Sequence, residues 1–107
     1  MREGGRDEPV CRARKRAGRC YELALRALLD LSPETRWRLV HGAGAEPEAI
    51  AGHAWLTDGR HVYDPVEDWR GPVAEYARRA AAATIREYSR AEAAKWAVRT
   101  RHPGPWE

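Results

Sequence analysis

Over residues 20–31 the chain reads C-Y-E-L-A-L-R-A-L-L-D-L, and its charged positions are Glu22, Arg26 and Asp30 alone. That spacing of four puts them in one narrow stripe, with a carboxylate one turn to either side of the arginine. The remaining positions are good helix formers without Gly or Pro. A helix with so thin a polar stripe is buried over most of its circumference, and Ser32-Pro33 ends it. Residues 37–41 alternate as a strand does, and 42–52 read as a glycine-bounded loop. Asp58-Gly59 is a favoured centre for a two-residue turn, so 53–57 and 60–64 form a hairpin. Pro65 and the acidic V-E-D-W end it. Pro72 opens a helix whose apolar face is Val73, Tyr76, Ala77 and Ala80. Residues 84–88 read as a short strand. Ser89 and Glu92 then fit a capping box for a last helix reaching about residue 99. The tail R-H-P-G-P-W-E is irregular, with Trp106 able to fold back. The order predicts an α+β domain: a buried N-terminal helix on a short antiparallel sheet, with peripheral C-terminal helices.

The length, 107 residues, allows one core; at this size folding buries roughly 60–70% of the unfolded chain's surface. Apolar residues make up 43% and charged residues 33%, which describes a soluble globular protein. No run approaches the ~18 apolar residues of a membrane span, and the charged N-terminus lacks a secretory signal. The expected location is cytoplasmic, with no membrane partner. Residues 1–18 read as a flexible basic arm and 19–107 as the domain. Five of the net +3 chain's basic residues fall within 12–19 with no acidic one. Such a run can touch nucleic acid or an acidic peptide, although a solvated arm is the plainer reading. The absence of Asn, Gln and Phe beside abundant Arg and Ala looks like coding bias. Composition says nothing of oligomeric state.

Two cysteines make no disulfide framework: Cys11 lies in the basic arm and Cys20 at the edge of the apolar helix. The candidate chemistry joins Cys20 to the hairpin "GHAWLTDGRHVYDP". With Asp58-Gly59 as the turn, Thr57 faces Arg60 and the ladder continues to His53 opposite Asp64. Directly opposed residues share a face with Cβ atoms ~4.5–5.5 Å apart. His61 falls opposite Leu56 on the other face, and His41 and His61 read as surface residues. A thiol is only a few per cent ionised at neutral pH. A helix N-terminus and a neighbouring imidazole both favour the thiolate, and a carboxylate on the far ring nitrogen fixes the tautomer. Cys20, His53 and Asp64 thus form a candidate nucleophile, base and orienter. The N–H of Cys20 supplies one oxyanion donor; Arg19, Tyr21 and Trp37 are candidates for a second. Trp55 reads first as packing beside the site and, as the alternative, as a further substrate-binding or oxyanion candidate. Glu67 and Asp68 read as a solvated loop near it. No C-x₂–₄-C or H-x₃–₅-H spacing marks a zinc site, and no cofactor is implied.

The segments "GRCYELAL" and "GHAWLTDGRHVYDP", a cysteine opening a buried helix followed by H-A-W and Y-D-P on a small sheet, resemble the papain-like and transglutaminase-like superfamily. The layout is also similar to small uncharacterised bacterial and phage proteins and, more distantly, to lasso-peptide leader peptidases. The resemblance covers residues 19–65. It implies a papain/transglutaminase-like core and thiol acyl transfer on a peptide or protein substrate, with Cys20, His53 and Asp64 as the triad. Papain's glutamine and asparagine have no counterpart here, so Asp64 as orienter favours the transglutaminase-like branch. Peptidase, amidase, deamidase and transamidase chemistry all remain open. The competing expectation is a non-catalytic binding module on the same fold, docking nucleic acid or an acidic partner through residues 12–19.

Overall fold

The computed structural model describes residues 7–15, 19–43, 53–80 and 83–106. Three helices and five strands follow in the order α1 (Cys20–Leu29), β1 (Arg38–Ala43), β2 (His53–Thr57), β3 (His61–Asp64), β4 (Trp69–Pro72), α2 (Val73–Ala80), β5 (Ala83–Tyr88) and α3 (Arg90–Thr100). The strands form one antiparallel sheet in the order β4-β3-β2-β1-β5, so the domain is α+β. No helix among the described residues is long and apolar enough to cross a membrane.

Each face of the sheet carries its own cluster. On one, Leu23, Ala24, Ala27 and Leu28 of α1 pack with Leu39, Ala54, Leu56, Tyr63 and Tyr88, joined by Ala93 of α3 and Trp106. On the other, Val40, Trp55 and Val62 meet Tyr76 of α2, with Trp69 beside them. Strand alternation explains the division, since Ala54 and Leu56 point one way and His53, Trp55 and Thr57 the other. The thin polar stripe of α1 has the expected consequence: five of its residues are buried, and Glu22 pairs with Arg26 at 3.6 Å on the open side. The capping box of α3 is present in both halves, Ser89 accepting from the Glu92 N–H and Glu92 accepting from that of Ser89.

The structure departs from the sequence reading in four places. First, β4 is a strand, not a loop. Its Gly and Pro hid it, and both are tolerated because it is an edge strand. Second, the hairpin turn is centred on Gly59-Arg60. Asp58 and His61 flank it, the Asp58 N–H donating to the His61 carbonyl at 3.2 Å. The Asp58 carboxylate accepts the N–H groups of Arg60 and His61 at 2.9 and 2.7 Å. Gly59 takes φ +96°, available to glycine at the first central position. Third, His41 is not at the surface but 6% exposed. Its ring lies 4.9–5.2 Å from those of Tyr21, Tyr88 and Trp106, because the tail folds back over it.

Fourth, the expected arm is not free over residues 7–15. Pro9 and Cys11 are buried. The Cys11 N–H donates to the Tyr63 hydroxyl at 2.9 Å, the Asp7 carboxylate accepts from Ser32, and Arg70 donates to the Pro9 carbonyl. The Tyr63 hydroxyl itself donates to Asp68 at 2.6 Å, so Asp68, though exposed as expected of a solvated loop, also takes part in this anchor. Residues 1–6 and 16–18 of the expected arm, and 44–52 of the expected loop, lie outside the described residues.

Candidate functional site

His53 opens β2 and Asp64 closes β3. The observed ladder pairs Leu56 with Tyr63 and Thr57 with Val62, so its continuation sets Asp64 opposite Trp55 and leaves His53 on the diagonal. The direct opposition expected from an Asp58-Gly59 turn is therefore corrected. The slip amounts to two residues, and a two-residue slip preserves the face of every side chain. His53 and Asp64 consequently still point the same way. Diagonal neighbours are about 7–8 Å apart at the backbone, within reach of long side chains, and His53 Nε2 lies 3.0 Å from Asp64 Oδ2. His61 sits at the far, turn end of the hairpin, exposed and 3.7 Å from Asp58.

Asp64 is 2% exposed, a costly place for a carboxylate unless its oxygens are satisfied. Oδ1 accepts the Val66 N–H at 2.9 Å, and Oδ2 accepts the Tyr76 hydroxyl at 2.7 Å as well as the imidazole. Burial raises the Asp64 pKa, but the hydrogen bonds from His53 and Tyr76 and the His53 charge outweigh it and hold the pKa below the usual range. For His53, burial works against the charged form. Hydrogen bonds with Asp64 and with Cys20 prevail and raise the pKa to about 10. Tyr76 is shifted upward by burial and by Asp64. At neutral pH the site therefore holds an imidazolium, a carboxylate and an un-ionised phenol.

Cys20 is the first residue of α1 and is partly buried. Its thiol lies near enough to the His53 ring to help raise the ring's pKa; Asp64 takes Nε2, which leaves Nδ1 for the sulfur. Neither cysteine is in a disulfide. The helix has no side-chain N-cap. The N–H groups of Cys20, Tyr21 and Glu22 precede its first intrahelical bond, from the Leu23 N–H to the Arg19 carbonyl, so they face outward from the helix start as donors.

The other candidate residues are placed less favourably. The Arg19 guanidinium is turned to Glu22, at 3.2 and 2.8 Å, and to the Lys15 carbonyl. Tyr21 packs edge-on against His41. Trp37 is buried in the α1-side cluster. It stands one residue beyond Arg38, whose ladder partner is Thr57, and so roughly 17 Å along the strand direction from His53 at ~3.4 Å per residue. It is removed from the set of oxyanion candidates. Trp55 packs against His53 with ring centres 5.6 Å apart. Glu67 forms an ion pair with Arg79 at 3.0 Å. Tyr76 was legible only as one member of an apolar helix face; nothing in the local pattern announces where its hydroxyl goes. No group of three or more metal-ligating side chains comes together among the described residues.

No family model, curated protein or solved structure matches the chain.

Proposed function

We propose that this chain is a thiol-dependent acyl-transfer enzyme of papain-like or transglutaminase-like type, acting through a thioester on Cys20. The observation that carries the reading is the His53 ring, hydrogen-bonded through Nε2 to a buried carboxylate, with a thiol at a helix N-terminus near enough to help raise its pKa. Such an arrangement suits nucleophilic catalysis. With its proton already held on His53, the Cys20 sulfur attacks the carbonyl carbon of a carboxamide or peptide as the thiolate of that ion pair. The carbonyl oxygen takes the charge, and the first-turn N–H groups of α1 are donors of the right kind to receive it. Collapse breaks the C–N bond, His53 protonates the departing amine, and a thioester remains. Water or a second amine then attacks, giving hydrolysis or transamidation. Asp64 keeps the ring tautomer and stabilises the imidazolium. The substrate is a peptide or protein, and the setting a cytoplasmic one.

Iodoacetamide alkylation tests this. Cys20 is expected to react readily below pH ~7, and His53→Ala to slow the reaction at least tenfold there. A Cys20 that reacts only above pH 8, at a rate indifferent to His53→Ala, would defeat the assignment.

A further inference from the structure

We propose that Tyr76 is a positioning residue of the Cys20 site, its phenol fixing the Asp64 carboxylate so that Oδ2 faces His53. This rests on the acyl-transfer reading and adds to it a residue from a different element.

Three hydrogen bonds set the carboxylate. The Val66 N–H holds Oδ1, and a carboxylate pinned at one oxygen can still tilt the other. Tyr76 donates to Oδ2 at 2.7 Å and His53 lies 3.0 Å from the same atom. The phenol thus decides where the shared oxygen lies. Its ring is itself fixed: Trp55 and Trp69 flank it with centres 5.2 and 5.3 Å away, and Trp55 also touches the His53 ring. Over residues 73–79 of α2, Tyr76 is buried and every other residue is exposed. A helix that buries one side chain is anchored by it, and phenylalanine would anchor it as well. What the hydroxyl adds is the bond to Asp64.

The ionisable groups around this oxygen come from four elements: Cys20 of α1, His53 of β2, Glu67 of the turn after β3, and Tyr76 of α2. Glu67 is paired with Arg79. Arg70 of β4 lies over the Tyr63 ring and reaches Pro9, away from the site. Removing a donor from a carboxylate disfavours its charged form. Loss of the hydroxyl therefore makes Asp64 easier to protonate, and the site disarms at a higher pH.

The test is the pH profile of Cys20 alkylation in the full chain and in Tyr76→Phe, Trp69→Leu and His53→Ala. Tyr76→Phe is expected to move the acid limb up by about one pH unit. Trp69→Leu, which loosens the ring's packing but keeps its hydroxyl, should lower the melting temperature and leave the limb in place. An unmoved limb in Tyr76→Phe overturns the proposal, as does an equal shift in Trp69→Leu. If the unaltered chain lacks fast alkylation below pH ~7, or His53→Ala leaves it unchanged, the acyl-transfer reading fails. If both behave as stated and Tyr76→Phe alone has no effect, only the role of Tyr76 falls.

Discussion

His53 and Asp64 meet on the diagonal of the β2–β3 ladder, Nε2 to Oδ2 at 3.0 Å, with Trp55 rather than His53 in the position opposite the carboxylate. The diagonal lets one strand supply both the base and the aromatic ring that packs on it. It also leaves the carboxylate open to a further donor from α2.

Asp64→Asn should separate charge from shape. Asparagine retains an acceptor for the Val66 N–H but loses the charge that, with the hydrogen bond, keeps His53 protonated. The His53 pKa is expected to fall by at least about one unit, read by NMR from its ring protons across a pH series. The sign carries into stability. A histidine whose folded pKa is raised from 6.5 to about 10 contributes stability that is complete below pH 6.5 and lost as pH rises through 10. Asp64→Asn should flatten that alkaline decline. An unmoved His53 titration would show that the carboxylate does not set the ring's charge.

His41 gives the opposite slope. Burial lowers its pKa from 6.5 to about 4, and its Nε2 has no hydrogen-bond partner among the described residues. Between those pH values the unfolded chain binds the proton that the folded one refuses, so stability falls with pH from 6.5 toward 4. About 3–3.5 kcal/mol is at stake at ~1.4 kcal/mol per unit. His41→Leu should remove most of this acid-side loss, measured as the difference in unfolding free energy between pH 7 and pH 4.5. An unchanged difference would mean that the ring is reached by solvent.

Tyr63→Phe tests the anchoring of the N-terminal segment. The hydroxyl accepts from the Cys11 N–H and donates to Asp68. Its loss removes an acceptor from a buried N–H, at a cost of about 1–3 kcal/mol. Trypsin should then cut after Arg12 or Arg14 several-fold faster. Equal cleavage rates would place the hold on these residues elsewhere, in Pro9 and Asp7.

What the sequence made legible was local or periodic. The polar stripe of α1 and the Ser89–Glu92 box each depend on neighbours within one or two turns, so spacing exposes them. The facing of His53 and Asp64 was legible for a similar reason, since alternation survives a two-residue slip. The register itself was not: the side chain of Asp58 competes for the turn's own N–H groups and moves its centre. β4 was hidden because an edge strand need not look like one. His41 reads as a polar residue ending a strand. Its burial depends on Trp106, 65 positions later, and on Gly104, where even a methyl group would come 2.8 Å from the ring. Tyr76 was expected to face inward, but its partner comes from another element, and periodicity carries no information about partners.

A ribosome delivers Cys20, His53 and Asp64 well before it delivers the residues that finish their surroundings. In the order β4-β3-β2-β1-β5 the outer edge of β1 stays open until β5 is made. The carboxylate at the centre has one of its three hydrogen bonds missing until α2 docks. The tail that closes over His41 and Tyr88 arrives later still. Synthesis thus completes this site from the outside, and the sulfur is present in a half-made chain long before the geometry that surrounds it.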